Sequence, residues 1–327
     1  METMQRLREF LAEDWVAVRQ MMQTALRSDI GLLNEANDGI LSHGGKMIRP
    51  VMSLLIARAC AGAVTEEGRK VAAAAELMHN ATLLHDDVAD SSPQRRGFPT
   101  ASSLYGDRAA VLLGDYWLVK AMDLILAAGP YGNEVIRIFA KTLSDLAEGE
   151  MLQLEKAVRG DTSREDYLRI IYSKTASLFE ASCVSAAVCA CASQEQLAAA
   201  RTFGRQVGLA FQIKDDILDY TAQDSLGKPT GVDLREKKIT LPLIGALLQV
   251  SDERERLIRR RVCQMDIHPE YFGQIRDFVL QEGGIPYASS VQDAYIGRAK
   301  EALKVFPQGM AVSLLSELAD FIGNRQV

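Results

Sequence analysis

The chain has 327 residues, 48% of them hydrophobic and 24% charged, which is enough apolar material for a substantial core. A net charge of −6 excludes the basic footprint of a nucleic-acid binder. No apolar run reaches the roughly 18 residues needed to span a bilayer, and METMQRLREFLAEDW, with its mixed charges and no apolar stretch, fits neither a signal peptide nor a transit peptide, so a cytoplasmic protein is expected.

In chain order, strong helix formers (Ala, Leu, Glu, Arg, Met) predict helices near 3–24, 29–41, 47–61, 65–90, 107–127, 132–157, 164–191, 194–220, 239–249, 252–263, 269–281, 285–305 and 311–324. Breakers separate them at Gly44-Gly45, Pro93, Gly97 to Pro99, Gly129-Pro130, Gly227 to Gly231, Gly283-Gly284 and Pro307. Alternating strand-type runs are hard to find. Long helices joined by short loops predict an all-α fold, a large antiparallel helical bundle. The five cysteines (Cys60, Cys183, Cys189, Cys191 and Cys263) form no CxxC pair and have no histidine at metal-ligand spacing. They read as small buried residues in reducing surroundings.

One feature recurs. LLHDDVAD carries Asp86, Asp87 and Asp90, and FQIKDDILDY carries Asp215, Asp216 and Asp219. In both, the first and third aspartates stand at i and i+4, on one helix face, where like charges repel. Both clusters fall near a predicted helix C-terminus, the wrong end of the dipole for carboxylates. A solvated acidic patch is the plain alternative. Against it, apolar residues precede each cluster (ATLL, LAFQI), and the same unfavourable arrangement occurs twice. Mg2+ would supply the missing charge, because it takes oxygen ligands and shares them with substrate phosphates. Two such clusters facing each other would clamp one diphosphate. The absence of a loop glycine excludes an EF-hand, and the absence of a Cys or His set excludes zinc.

Cations that would answer a diphosphate are also present. GGKMIRP places Lys46 and Arg49 one turn apart where a helix begins, and backbone amides at such a start favour an anion. Arg95 and Arg96 follow the first aspartate cluster, and arginine suits bidentate phosphate contacts. SKTASLFE carries Lys174 and Thr175, and the loop after the second cluster carries Lys228, Asp233 and Lys238. Taken singly, a lone Lys or Arg is more often a solvated surface charge, a Thr or Gln such as Thr175 or Gln212 more often a packing or surface residue, and a histidine such as His79 more often a core residue than a ligand.

Together the segments GGKMIRP, ELMHNATLLHDDVADSSPQRRGFPT, LLGDYW, EGEMLQL, KTASLFE, GLAFQIKDDILDY, GKPTGVDL, KKITLPL and GGIPYA, in this order, resemble the trans-isoprenyl (polyprenyl) diphosphate synthases. The resemblance implies one all-α domain over residues 1–327 with the active site in a central cavity. It implies condensation of an allylic prenyl diphosphate with isopentenyl diphosphate, Mg2+ as cofactor, a homodimer, and peripheral membrane contact at most for product release. Asp86, Asp87, Asp90, Asp215, Asp216 and Asp219 match the metal set. Arg95, Lys174, Lys228 and Lys238 match the allylic diphosphate site, and Lys46, Arg49, His79 and Arg96 match the isopentenyl diphosphate site. Thr175 and Gln212 match residues that face the reacting carbon. Lys214 and Lys237 depart from the family's usual apolar residue and glycine.

In the family, residues upstream of the first aspartate motif line the path of the growing chain. Ala81, Thr82, Ala74 and Ala75 are small, which implies an open path and a long product of octaprenyl type, with Phe139 and Met122 as candidate floors. The alternatives are a short- or medium-chain synthase making farnesyl or geranylgeranyl diphosphate, and, more remotely, a class I terpene cyclase or the non-catalytic subunit of a heteromeric synthase. The cyclase would need neither the second aspartate motif nor the Lys46/Arg49/His79 pocket. The subunit would have eroded aspartates.

Overall fold

The computed structural model describes residues 2–221 and 231–325. In chain order its helices are α1 (Glu2–Ala25), α2 (Gly31–Ser42), α3 (Ile48–Ala61), α4 (Glu66–Ala89), α5 (Ala101–Tyr105), α6 (Asp107–Leu126), α7 (Gly132–Arg159), α8 (Arg164–Ile171), α9 (Ser177–Cys189), α10 (Gln194–Thr221), α11 (Val232–Arg235), α12 (Leu241–Leu247), α13 (Asp252–Cys263), α14 (Tyr271–Gln281), α15 (Gly284–Ala302) and α16 (Met310–Asn324). Among the described residues the only sheet is a hairpin of β1 (Gln94–Arg95) and β2 (Phe98–Pro99). No helix of the described residues is long and apolar enough to cross a membrane. The all-α expectation holds, and the chain groups into two compact units.

The first unit comprises Met1–Ala140, Glu180–Arg201 and Leu303–Leu318. Its central element is α4, which packs against α1, α3 and α6. The helix starts where Thr65 Oγ1 accepts the Gly68 N–H at 3.1 Å, with Glu66 and Glu67 in the first turn, where the dipole favours acids. Ala72, Ala73, Ala74, Ala75 and Ala81 are all buried, so α4 presents little side-chain bulk to its neighbours. On α6, fully buried Trp117 donates its indole N–H to Asn37 Oδ1 at 2.7 Å, and Asn37 in turn donates to the Leu26 carbonyl at 2.9 Å. This pair ties α6 to α2.

Past α4 the backbone turns sharply. Gln94 lies opposite Pro99 and Arg95 opposite Phe98, which leaves Arg96 and Gly97 as a two-residue turn with φ of 55° and 81°. Positive φ at both positions matches the right-handed twist of a tight hairpin. For arginine the left-handed region costs about 1–2 kcal/mol. The breakers at Gly97 to Pro99 signalled a loop, but two-residue strands are too short to show an alternating pattern.

The second unit comprises Lys141–Phe179, Thr202–Ala302 and Ala319–Val327. Here α12 packs against α14 and α15. A reciprocal cap starts α8: Ser163 Oγ accepts the Asp166 N–H, and the Asp166 carboxylate accepts the Ser163 N–H. The single helix expected over 164–191 is broken by a π-helical turn at Tyr172–Ala176, between α8 and α9. Two glycines let neighbouring helices reach this turn. A Cβ at Gly149 would lie 2.6 Å from Ser173 Cβ, and one at Gly208 2.5 Å from Ala176 Cα. A π turn widens the helix by one residue and often marks a functional site; it leaves no trace in composition.

A buried ion triad staples α1 to α3 and α4. The Asp14 carboxylate, 3% exposed, accepts from Arg58 Nη2 and from Arg69, each at 2.7 Å. Asp14→Ala would leave two guanidiniums close together without their counter-charge, and a loss of about 3 kcal/mol is expected from chemical denaturation. A loss under about 1 kcal/mol would mean that solvent already screens the two partly exposed arginines.

Candidate active site

The first aspartate cluster occupies the last turn of α4, with Asp90 as its C-cap. Asp86 is partly exposed and Asp90 exposed, whereas Asp87 is 4% exposed and takes Arg95 Nε and Nη2, each at 2.8 Å, on its Oδ1. Burial raises the Asp87 carboxyl above the ordinary aspartate range, and Arg95 opposes that rise. The i and i+4 residues therefore share the accessible face as expected, and the middle aspartate faces inward as the partner of Arg95. His85 lies over Gly114 of α6, near Asp115 Oδ1 at 3.3 Å.

The basic residues of the same unit gather beside the start of α3. Met47 adopts φ 51° at its N-cap, so exposed Lys46 precedes the helix and Arg49 falls in its first turn. Arg49 is buried, and burial pushes its guanidinium down to about 10, with Glu76 opposing the fall and Arg96 adding to it. Arg96 lies where a side chain at 45 would be: a Cβ on Gly45 would come 2.6 Å from its guanidinium carbon. The GG of GGKMIRP thus makes room for Arg96. Glu76, 3% exposed on α4, is the acidic counterpart of Arg49 and Arg96, and burial raises its carboxyl. His79, one turn further along α4, is held well below the usual histidine range by burial and then by Arg49, Arg96 and Arg95. Burial and the neighbouring guanidiniums thus favour its neutral form. Glu76 escaped the sequence reading, although its position three residues before His79 places it on the same helix face.

In the second unit the residues of the π turn meet the second aspartate cluster. Thr175 Oγ1 donates to Gln212 Oε1 at 2.7 Å, Gln212 Nε2 donates to Asp216 Oδ1 at 2.9 Å, and the Tyr167 hydroxyl donates to Asp216 Oδ2 at 2.6 Å. Asp216 is 2% exposed, and burial together with Asp233 raises its carboxyl. Asp219 takes the Val232 and Asp233 N–H groups on its two carboxylate oxygens at 3.0 and 3.2 Å and so caps α11; burial lifts it to about 6. Asp215 is the accessible member of the three, 44% exposed at its side chain. Lys174 reaches Glu150 Oε1 at 2.8 Å and Gln153 Oε1 at 3.0 Å on α7. Lys174, Gln212, Asp216, Asp233 and Lys238 line one cavity of about 90 Å³.

The structure therefore brings Thr175, Gln212 and Asp216 together, and Lys174 and Lys238 onto one cavity. Lys228 lies outside the described residues. Tyr167, Glu150, Gln153 and Asp233 belong to this constellation without having been assigned a role from sequence. EGEMLQL and GKPTGVDL hold three of them, but Tyr167 carries no local signal.

Among the described residues no three His, Cys, Asp or Glu side chains converge as a ready-made metal cage. Mg2+ does not need one, because it keeps several waters and takes one or two carboxylates together with substrate phosphates. Asp86 and Asp90 in the first unit, and Asp215 in the second, offer hard oxygen donors on accessible faces, so the donors of each cluster fit an ion that arrives with a diphosphate.

The low-lying His79 has a measurable consequence. Its folded value is depressed below the ordinary 6.5, so the unfolded chain binds more protons and stability falls as pH drops below about 6.5. The slope is at most about 1.4 kcal/mol per pH unit. His79→Gln is expected to remove that part of the acid sensitivity in denaturation curves at pH 5 to 7. An unchanged slope would show that His79 protonates in place.

The sequence pattern of the Polyprenyl synthetase family matches residues 31–272. The chain is 39% identical over 265 residues to the octaprenyl diphosphate synthase of Escherichia coli (strain K12), covering 80% of each chain. It is 37% identical over 299 residues to an all-trans-nonaprenyl-diphosphate synthase (geranyl-diphosphate specific) of Rhodobacter capsulatus, covering 91% of this chain and 90% of the relative. The crystal structure of a decaprenyl diphosphate synthase from Rhodobacter capsulatus superposes with a TM-score of 0.91 at 35% identity, covering 99% of each chain. Sequence and fold agree: this chain belongs to the polyprenyl synthetase family, the trans-isoprenyl diphosphate synthases.

Proposed function

We propose that this chain is a Mg2+-dependent, chain-elongating prenyltransferase that condenses an allylic diphosphate with isopentenyl diphosphate and releases a long-chain all-trans polyprenyl diphosphate. The observation that carries this reading is that a member of the polyprenyl synthetase family keeps both aspartate clusters whole, each with ordered basic or polar partners around it. The relatives named above as octaprenyl, nonaprenyl and decaprenyl diphosphate synthases support the long product. The family match runs through segments of both compact units, which supports residues 1–327 working as one synthase domain.

In this reading Asp86, Asp87, Asp90, Asp215, Asp216 and Asp219 form the metal set. Asp86, Asp90 and Asp215 are the accessible donors, and the hydrogen-bonded Asp87, Asp216 and Asp219 orient their neighbours. Lys46, Arg49, His79 and Arg96 bind isopentenyl diphosphate. Arg95, Lys174, Lys228 and Lys238 bind the allylic diphosphate. Bound Mg2+ supplies Lewis-acid stabilisation of the negative charge that grows on the leaving group. The fixed cations of Lys174 and Arg95 stabilise the same charge without reorganising as it forms. The allylic C–O bond breaks, and its electron pair leaves with pyrophosphate. The double bond of isopentenyl diphosphate attacks the allylic cation, a C–C bond forms, and the released pyrophosphate takes the proton whose loss sets the new double bond. The Thr175 hydroxyl proton is directed to Gln212 Oε1. That leaves the Thr175 lone pairs, rather than its proton, to face the cationic carbon. No side-chain nucleophile takes part.

A homodimer is supported by α6, where Leu112, Val119 and Leu126, spaced by seven residues, are 59%, 53% and 56% exposed. A seam of that period on one helix fits a second copy of the same helix. The five cysteines form no disulfide, which fits the reducing cytoplasm proposed here.

The purified chain alone, given isopentenyl diphosphate, an allylic primer and Mg2+, is expected to release pyrophosphate and to give long polyprenols on chromatography of the dephosphorylated products. No product from the chain alone would favour a subunit role. Excess chelator should abolish turnover, and Asp86→Ala or Asp215→Ala should lower kcat by several orders of magnitude with the fold intact. Full activity in chelator would contradict the metal reading. Ala81 is 1% exposed, next to Thr82 and in a helix where Ala74 and Ala75 are also buried. A phenylalanine there overpacks a close-packed wall at a cost of about 1–3 kcal/mol. Ala81→Phe is therefore expected to shorten the product to farnesyl or geranylgeranyl length while the first condensation stays fast. Unchanged long products would show that position 81 does not face the tail path.

A further inference from the structure

Arg325 follows α16 directly, and its side chain is 8% exposed. Its Nη2 donates to the Phe211 carbonyl at 2.7 Å and lies 2.8 Å from Asp215 Oδ1 as an ion pair, and its guanidinium carbon lies 3.7 Å from the centroid of the Phe211 ring. Phe211 is itself set by Phe179, with ring centroids 5.4 Å apart. Phe211 and Asp215 stand one turn apart on α10, so a single guanidinium grips both ends of that turn. Buried arginines need a counter-charge and fixed acceptors; this one finds its counter-charge and a carbonyl acceptor within one turn of α10, while its buried Nε has no hydrogen-bond partner.

The contact is lopsided. The arginine is almost wholly buried, while the carboxylate it holds is 44% exposed at its side chain. The closest approach of the guanidinium is to Oδ1, and the exposure of the side chain leaves part of the carboxylate open to solvent. A cation arriving from solvent need not displace Arg325. We propose that Arg325 is a positioning residue for the second aspartate cluster: it holds the half-exposed Asp215 carboxylate in one orientation, ready for the divalent cation that accompanies the diphosphate. This rests on the metal reading of Asp215 given above. Partners that orient a metal ligand from behind are generally worth about 10- to 100-fold in metal affinity. Lys214, on the same stretch of α10, lies near Arg325 and Asp293 and has its ammonium depressed by burial and then by Arg325. It adds positive charge near Arg325 rather than a second partner for Asp215.

The test uses the full chain, Mn2+ as the probe ion and inorganic pyrophosphate, with free Mn2+ read by electron paramagnetic resonance. Arg325→Met keeps length and ring contact but removes the charge. It is expected to weaken Mn2+ binding in the presence of pyrophosphate about tenfold. Arg325→Lys, which keeps the charge and loses the fork, is expected to weaken it about threefold and serves if the methionine variant does not fold. The KM for isopentenyl diphosphate should stay within about twofold of wild type in both, which a general loss of structure would not allow. Mn2+ binding equal to or tighter than wild type in a folded variant overturns the proposal, the tighter case because it would show that Arg325 competes with the ion. Failure of the wild type itself to bind Mn2+ with pyrophosphate overturns the metal reading beneath it.

Discussion

Carboxylates concentrated at the ends of two long helices are the constraint on which the rest of the site depends. Asp86, Asp87 and Asp90 sit at the end of α4, and Asp215, Asp216 and Asp219 in the last two turns of α10. Each cluster combines like-charge repulsion at i and i+4 with the negative end of a helix dipole. The protein offsets this locally and unevenly. Asp87 is taken by Arg95, Asp216 by Tyr167 and Gln212, Asp219 by two backbone amides, and Asp215 by Arg325. The inward carboxylates are thereby fixed in direction, and Asp86, Asp90 and Asp215 remain on accessible faces.

The same economy runs through the basic residues. Arg49 is buried next to His79, a pairing that is tolerable because His79 stays neutral and Glu76 supplies the counter-charge. Arg96 reaches this group from a strained hairpin turn, through space that Gly45 leaves open. Strain of about 1–3 kcal/mol persists where surrounding contacts over-determine it. In the second unit a π turn presents Lys174 and Thr175, with Gly149 and Gly208 pressed against its backbone. Strained turn and widened helix both fix chemistry-bearing side chains on rigid elements, which is what stabilisation of a departing pyrophosphate demands.

The helices were legible because their apolar spacing and their Gly and Pro breakers are local signals. The ends predicted for α4 and α10 differ from the observed ones by a residue or so. The aspartate motifs and most cations were legible because their residue types recur in short ordered segments. What escaped was decided by tertiary contact. The hairpin at Gln94–Pro99 is too short for periodicity, and the π turn keeps the composition of an ordinary helix. Tyr167 and Arg325 reach Asp216 and Asp215 only through folding. The division of labour within each DDxxD was also hidden, since spacing places the first and third aspartates on one face and says nothing of which oxygens the backbone will claim, as it does at Asp219.

The central claim is that accessible carboxylates and fixed cations together await a metal-bound diphosphate. The most direct measurement is the melting temperature of the full chain with Mg2+ alone, with inorganic pyrophosphate alone and with both. Ligands that bind only the folded state raise its stability by mass action, by about 2.7 kcal/mol at a hundredfold excess over Kd. The account predicts a rise with both together that exceeds the sum of the separate rises, and its loss in Asp215→Ala. Equal melting temperatures under all three conditions, or a rise with pyrophosphate that chelator leaves intact, would contradict it.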